Sequence, residues 1–96
     1  MFKPLDPLLH SALRLAIMSL LVGVKSAEFN YLLEETKATR GNLSVQITKL
    51  KEAGYVEVTK GFKGNYPVTS CAVTPKGLEA FDTNVESMKA YLNTKR

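Results

Sequence analysis

Residues 39 to 56 read Thr39-Arg-Gly-Asn-Leu-Ser-Val-Gln-Ile-Thr-Lys-Leu-Lys-Glu-Ala-Gly-Tyr-Val56, and the fold turns on this stretch. Thr39 carries an oxygen that can cap a helix N-terminus, and Gly54 suits the left-handed residue that ends one. Between them Leu43, Ile47 and Leu50 recur at four and three, which predicts a helix over 40–53 with one buried face. At about 100° per residue the opposite side displays Val45, Thr48, Lys49 and Glu52, flanked by Asn42 and Ser44.

Working toward the N-terminus, Phe29, Leu32 and Leu33 mark a two-turn helix over 29–37. A short helix, a tight connection and a second helix form a helix-turn-helix candidate. Lys25 to Glu28 is read as an extended connection, and before it Asp6 as N-cap with Pro7 at the first position opens a helix over 7–22, ended by Gly23. Leu9, Leu13, Ala16, Ile17, Leu20 and Leu21 give this helix a wide apolar stripe, more than one small domain is expected to cover.

Toward the C-terminus the texture after Gly54 becomes β-prone, predicting a hairpin over 55–73. Its loop, Gly61-Phe-Lys-Gly-Asn65, reads as too long for a two-residue turn. Pro67 cannot donate to a ladder and belongs on an edge or near the loop. Phe62 is read as an anchor tucked under the tip, with an exposed contact residue as the alternative. Thr74 and Pro75 then cap and open a helix over 75–92, along which Leu78, Phe81, Val85, Met88 and Leu92 recur at three, four, three and four. That narrow seam has coiled-coil spacing and is expected to pair with a second copy, the alternative being an amphipathic helix on its own core. The fold class is mainly α with a small β-hairpin, α+β.

A chain of 96 residues accommodates one domain, expected over 1–96. The start is broken by Pro4 and Pro7, and the longest apolar segment contains His10, Ser11, Arg14 and Ser19, so neither a secretion leader nor a membrane span is expected. With a single cysteine, Cys71, no internal disulfide can form; a cytoplasmic location and a small buried role for Cys71 are the expectations. The net charge of +4 sits in the middle of the chain: residues 37–64 hold six bases and two acids, while the flanking segments nearly balance. A segment of that kind suits a polyanion, the alternative being an ordinary solvated basic surface.

Catalysis has little support. There is one His, one Cys, no phosphate-loop glycine pattern and no Cys or His cluster at metal-ligand spacing, so no metal or other cofactor is expected. His10 reads as a structural or interface residue. Glu34 and Glu35 are adjacent and cannot face one another on a helix.

On the 40–53 helix, Asn42, Ser44, Thr48 and Lys49 carry groups that hydrogen-bond to base edges in a major groove, and Val45 could meet a thymine methyl. Glu52 is placed beyond the groove. Arg40 stands with the first-turn N–H groups at the positive helix end, where phosphate binds. Lys60 and Lys63 flank the hairpin tip, toward a backbone or minor groove.

The element order, together with Thr39-Arg-Gly-Asn-Leu-Ser44, Lys49-Leu-Lys-Glu-Ala-Gly-Tyr-Val56, Phe29-Asn-Tyr-Leu32 and Val73-Thr-Pro-Lys-Gly77, resembles the winged-helix regulators of the multiple-antibiotic-resistance (MarR) and arsenic-repressor (ArsR) type over about residues 8–92. The resemblance implies a winged helix-turn-helix with an extended C-terminal dimerisation helix, without the ligand-binding domain of larger relatives. It implies a homodimeric transcriptional regulator whose recognition helices enter successive major grooves of a pseudo-palindromic operator in double-stranded DNA. Carried over by position, Thr39, Asn42, Ser44, Val45, Thr48 and Lys49 would face the groove and Arg40 a phosphate, with Lys60 and Lys63 on the wing. Val45 departs from the polar or basic residue usual there. Leu9, Leu13, Phe81, Val85, Met88 and Leu92 would form the dimer interface. An unidentified small molecule between the dimer helices is a possible effector. A winged helix devoted to protein–protein contact is the alternative, since a fold does not dictate its partner.

Overall fold

The computed structural model describes residues 2–93; residues 1 and 94–96 of the expected single domain lie outside the described residues. A 3-10 turn, Pro7–Leu9, leads into α1 (Ala12–Leu21), β1 (Ala27–Glu28), α2 (Phe29–Thr36), α3 (Arg40–Glu52), β2 (Val56–Lys63), β3 (Tyr66–Val73) and α4 (Pro75–Leu92). The antiparallel sheet has the order β1-β3-β2. Among the described residues no helix is long and apolar enough to cross a membrane.

The expected helix over 7–22 is two pieces. Asp6 does cap as its position suggests, accepting from the Leu8 N–H at 2.9 Å, but the turn it opens ends at Leu9. Ser11, in extended geometry, is the cap of α1 and accepts from the Arg14 N–H. Asp6 and Ser11 each offer the backbone a local acceptor, and a chain with two caps five residues apart starts twice.

Further expectations need correction. The connection 25–28 is not wholly a linker, because Ala27 and Glu28 pair with Cys71 and Ser70 and make β1 the third strand. The hairpin has a two-residue turn: Lys63 pairs with Tyr66, leaving Gly64 and Asn65 between them. Gly64, at φ 64°, takes the positive φ that hairpin turns matched to strand twist require at their first central residue. The strands therefore run through Gly61 to Lys63, and Phe62, 79% exposed, projects into solvent instead of tucking under a loop. Pro67 lies near the tip as expected, beyond the residues of β3 that pair with β1. The second helix ends one residue earlier than expected, at Thr36, because Lys37 adopts φ 56°.

One core is shared by the first three helices and the sheet: Ile17 and Leu21 from α1, Leu32 from α2, Leu50 from α3, with Val56 and Cys71 from the sheet. Burial pushes the Cys71 thiol pKa up, as expected for a small apolar role.

α4 is docked by its first turn. Thr74 accepts from the Gly77 N–H at 2.9 Å and donates to the Gly54 carbonyl at 2.6 Å. Gly77 is buried so tightly against the Tyr55 carbonyl that a Cβ there would lie 2.1 Å from its oxygen. Further along, Asn84 accepts from the Asp6 N–H at 2.8 Å, and the Phe2 and Tyr91 rings stack at 4.5 Å, so the N-terminal segment lies along α4. Tyr55 donates to Asp6 at 2.6 Å; that hydrogen bond first, then burial and the Asp6 charge, push the Tyr55 pKa up to about 12.

The positions of α4 buried by the chain itself are Gly77, Asn84 and Ser87. Its apolar seam lies to the side: Phe81, Val85 and Met88 are half-buried, Leu78 is 40% exposed and Leu92 78%. Of the two dimer-contact residues expected on the first helix, Leu13 is half-buried against the core. Leu9 is 1% exposed; the turn that interrupts the helix points it into the chain's own core, where it cannot meet a second copy.

Candidate nucleic-acid interface

The connection between α2 and α3 is short because its ends are satisfied locally. Thr36 donates to the Leu32 carbonyl at 2.7 Å and accepts from the Ala38 N–H, and left-handed Lys37 turns the chain. Thr39 then accepts from the Asn42 N–H at 3.1 Å, starting α3 at Arg40. Leu43, Ile47 and Leu50 are buried and fix the helix rotation. Asn42, Ser44, Val45, Thr48 and Lys49 are consequently exposed, as is Glu52 at the far end.

That exposed surface has two flanks. On the side of the hairpin, Arg40, Ser44, Thr48 and Lys51 of α3 face Lys60 and Thr69 of the strands across one cleft, with Phe29 and Val58 in its floor. Three cations and three hydroxyls line it, and no carboxylate. Arg40 is held over the Phe29 ring at 5.9 Å and donates to Asn30 at 3.3 Å, which fixes its guanidinium at the helix start. On the other flank Asn42 and Lys49 stand toward α1, and Val45 lies midway, 50% exposed.

The expected site residues thus divide. Arg40, Ser44, Thr48 and Lys60 come together in the cleft. Asn42, Val45 and Lys49 are exposed on the same helix but outside it. Thr39 spends its side-chain oxygen on the cap. Lys63 is paired with Glu28 at 3.3 Å, an exposed ion pair of the sort worth about 0–1 kcal/mol and readily released.

Sequence reasoning missed Lys51, Asn30 and Gln46. Lys51 was legible: eleven residues after Arg40 is close to three helical turns, so the two share a flank. Asn30 needs the fold, since it reaches Arg40 only once α2 packs beside α3. Gln46 receives a bond from Arg14 of α1, a contact across elements that no local spacing announces, and donates to Asn42 one turn before it. Among the described residues there is no group of three or more His, Cys, Asp or Glu placed to hold a metal ion.

Residues 13–92 match the family described as winged helix DNA-binding domain. An uncharacterized protein of Methanocaldococcus jannaschii is 40% identical over 72 residues, which are 75% of this chain and 78% of that one. Among solved structures, a transcriptional regulator homologue from Pyrococcus horikoshii superposes with a TM-score of 0.84 at 29% identity, over 90% of this chain and 85% of its own. NadR, solved in complex with 4-hydroxyphenylacetate, shares the fold with a TM-score of 0.72 at 21% identity, over 91% of this chain and 64% of its own. Fold, element order and sequence match agree, and the chain belongs to the winged helix DNA-binding domain family.

Proposed function

We propose that this protein is a sequence-specific transcriptional regulator that binds double-stranded DNA as a homodimer. The observation that carries the reading is the cleft between α3 and the hairpin, where Arg40, Lys51 and Lys60 converge with hydroxyl donors and no acid. A surface of that kind neutralises phosphates on one strand while the adjacent exposed side of α3 enters the major groove. Asn42, Val45 and Lys49 then face base edges, and Lys63 reaches the backbone or minor groove from the wing once it leaves Glu28. Phe62 and Tyr66, 79% and 77% exposed near the hairpin tip, stand beside Lys63 on the wing.

In this reading the half-exposed seam of α4, ending at Leu92, packs against its copy, and two half-sites of a pseudo-palindromic operator follow from the two-fold symmetry. The test is fluorescence anisotropy of the purified protein with random duplex DNA across a salt series, with the mass in solution measured in parallel. A dimer whose micromolar affinity falls steeply with salt is expected. No binding at low salt would overturn the assignment and favour an acidic protein partner.

A further inference from the structure

The interruption of the first helix has a consequence for how the groove is read. In a continuous helix the Leu8 carbonyl would accept from the backbone of the following turn; here α1 starts afresh at Ser11, and the carbonyl accepts instead from Arg14 Nε. With Nε so anchored, Arg14 Nη1 donates to Gln46 Oε1 on α3, and Gln46 Nε2 donates to Asn42 Oδ1 at 2.9 Å. Arg14 and Gln46 are half-buried, whereas Asn42 is exposed.

The direction of this relay is dictated by its first member. Arginine has donors and no acceptor, so Gln46 must turn its oxygen toward Arg14 and its NH2 toward Asn42. Asn42 must then turn its oxygen back toward Gln46 and its NH2 outward. Among the described residues Asn42 Nδ2 has no hydrogen-bond partner.

We infer that Arg14 and Gln46 are positioning residues that make Asn42 a donor-presenting reader, selecting a guanine edge. This inference rests on the proposed DNA binding. An unconstrained asparagine pairs bidentately with adenine, giving a proton to N7 and accepting one from N6. An asparagine whose oxygen is turned inward presents N–H alone, and guanine offers two acceptors, O6 and N7, on its major-groove edge. Taking adenine in the bidentate mode would make its N6 compete with Gln46 for an Asn42 oxygen that is turned inward.

The experiment is selection from a duplex library with randomised half-sites, run with wild type, Gln46→Glu and Arg14→Met, each first confirmed folded by circular dichroism. For wild type, one half-site position is expected to prefer guanine by about tenfold or more. A glutamate at 46 accepts from both Arg14 and Asn42, so Asn42 turns its oxygen outward, and the same position should shift to a base carrying an N–H donor, cytosine or adenine. Arg14→Met removes the donor that orients the chain, and preference at that position should relax toward even while the others hold. Identical profiles for wild type and Gln46→Glu would overturn the relay alone, whereas failure of wild type to bind any duplex would overturn the DNA-binding reading with it. A readout independent of DNA is side-chain amide exchange by NMR in the free protein: the Gln46 NH2 should exchange more slowly than that of Asn42, and the reverse order would refute the orientation.

Discussion

Gly77→Ala should undock α4, and its cost can be worked from the contact it would make. The new Cβ would lie 2.1 Å from the Tyr55 carbonyl oxygen, 2.8 Å from its carbon and 2.9 Å from its Cα. Nonbonded carbon and oxygen settle at roughly 3.3 Å or more, so about 1.2 Å must be recovered. The obstacle is backbone and cannot rotate away. The Tyr55 carbonyl also accepts from the Thr74 N–H at 3.0 Å, and Thr74 ties Gly54 to Gly77, so withdrawing α4 strains all three hydrogen bonds. Overpacking costs about 1–3 kcal/mol, and each weakened hydrogen bond adds up to about 1 kcal/mol. The better helix propensity of alanine returns at most about 1 kcal/mol. A net loss of about 2–3 kcal/mol follows, which at a urea slope of about 1–3 kcal/mol per M moves the unfolding midpoint down by roughly 0.7–3 M. Gly41→Ala is the matched control: it is also helical, but nothing lies within 4 Å of its Cβ, so its midpoint should hold or rise. Both are compared with wild type by urea unfolding at one protein concentration, since association shifts apparent stability. A Gly77→Ala protein that unfolds where Gly41→Ala does would refute the reasoning.

Arg40→Ala should weaken binding to every duplex alike and reduce the slope of log affinity against log salt by about one, because Arg40, held by Phe29 and Asn30, acts as a phosphate contact; an unchanged slope would remove it from the interface. Tyr55 adds an alkaline dependence to stability. Its folded pKa is raised from 10.0 to about 12, so the neutral phenol is favoured in the fold; the contribution is full below pH 10 and is lost as pH rises toward 12. Urea midpoints between pH 8 and 11.5 should fall more steeply for wild type than for Tyr55→Phe, and parallel curves would show that the hydrogen bond to Asp6 does not set the shift.

Much of this molecule is written locally. Thr39 and Gly54 delimit α3 because a cap oxygen and a left-handed residue act within a few positions of themselves, and Thr74 with Pro75 opens α4 for the same reason. The rotation of α3 followed from Leu43, Ile47 and Leu50, and with it the exposure of Asn42, Ser44, Val45, Thr48 and Lys49. The hairpin was legible as a hairpin but not in its turn, since Gly61 and Gly64 are equally able to bend and only the pairing of Lys63 with Tyr66 decides between them. Leu9 was misjudged because helical periodicity carried through Ser11 assigns it a face it does not have.

What the sequence by itself determined is the set of helices, the hairpin, the buried face of α3 and the basic middle segment, all consequences of residue type and spacing along one element. What only the tertiary structure decided is which side chains meet from different elements. Glu28 lies beside Lys63 because β1 joins the sheet, and Lys60 faces Arg40 and Lys51 across the cleft. Arg14 reaches Gln46 for a related reason, the break before α1, and Gly77 touches Tyr55 because α4 turns back on the sheet. Those meetings depend on how elements pack, and packing is set by the shared core as a whole rather than by any stretch short enough to read on its own.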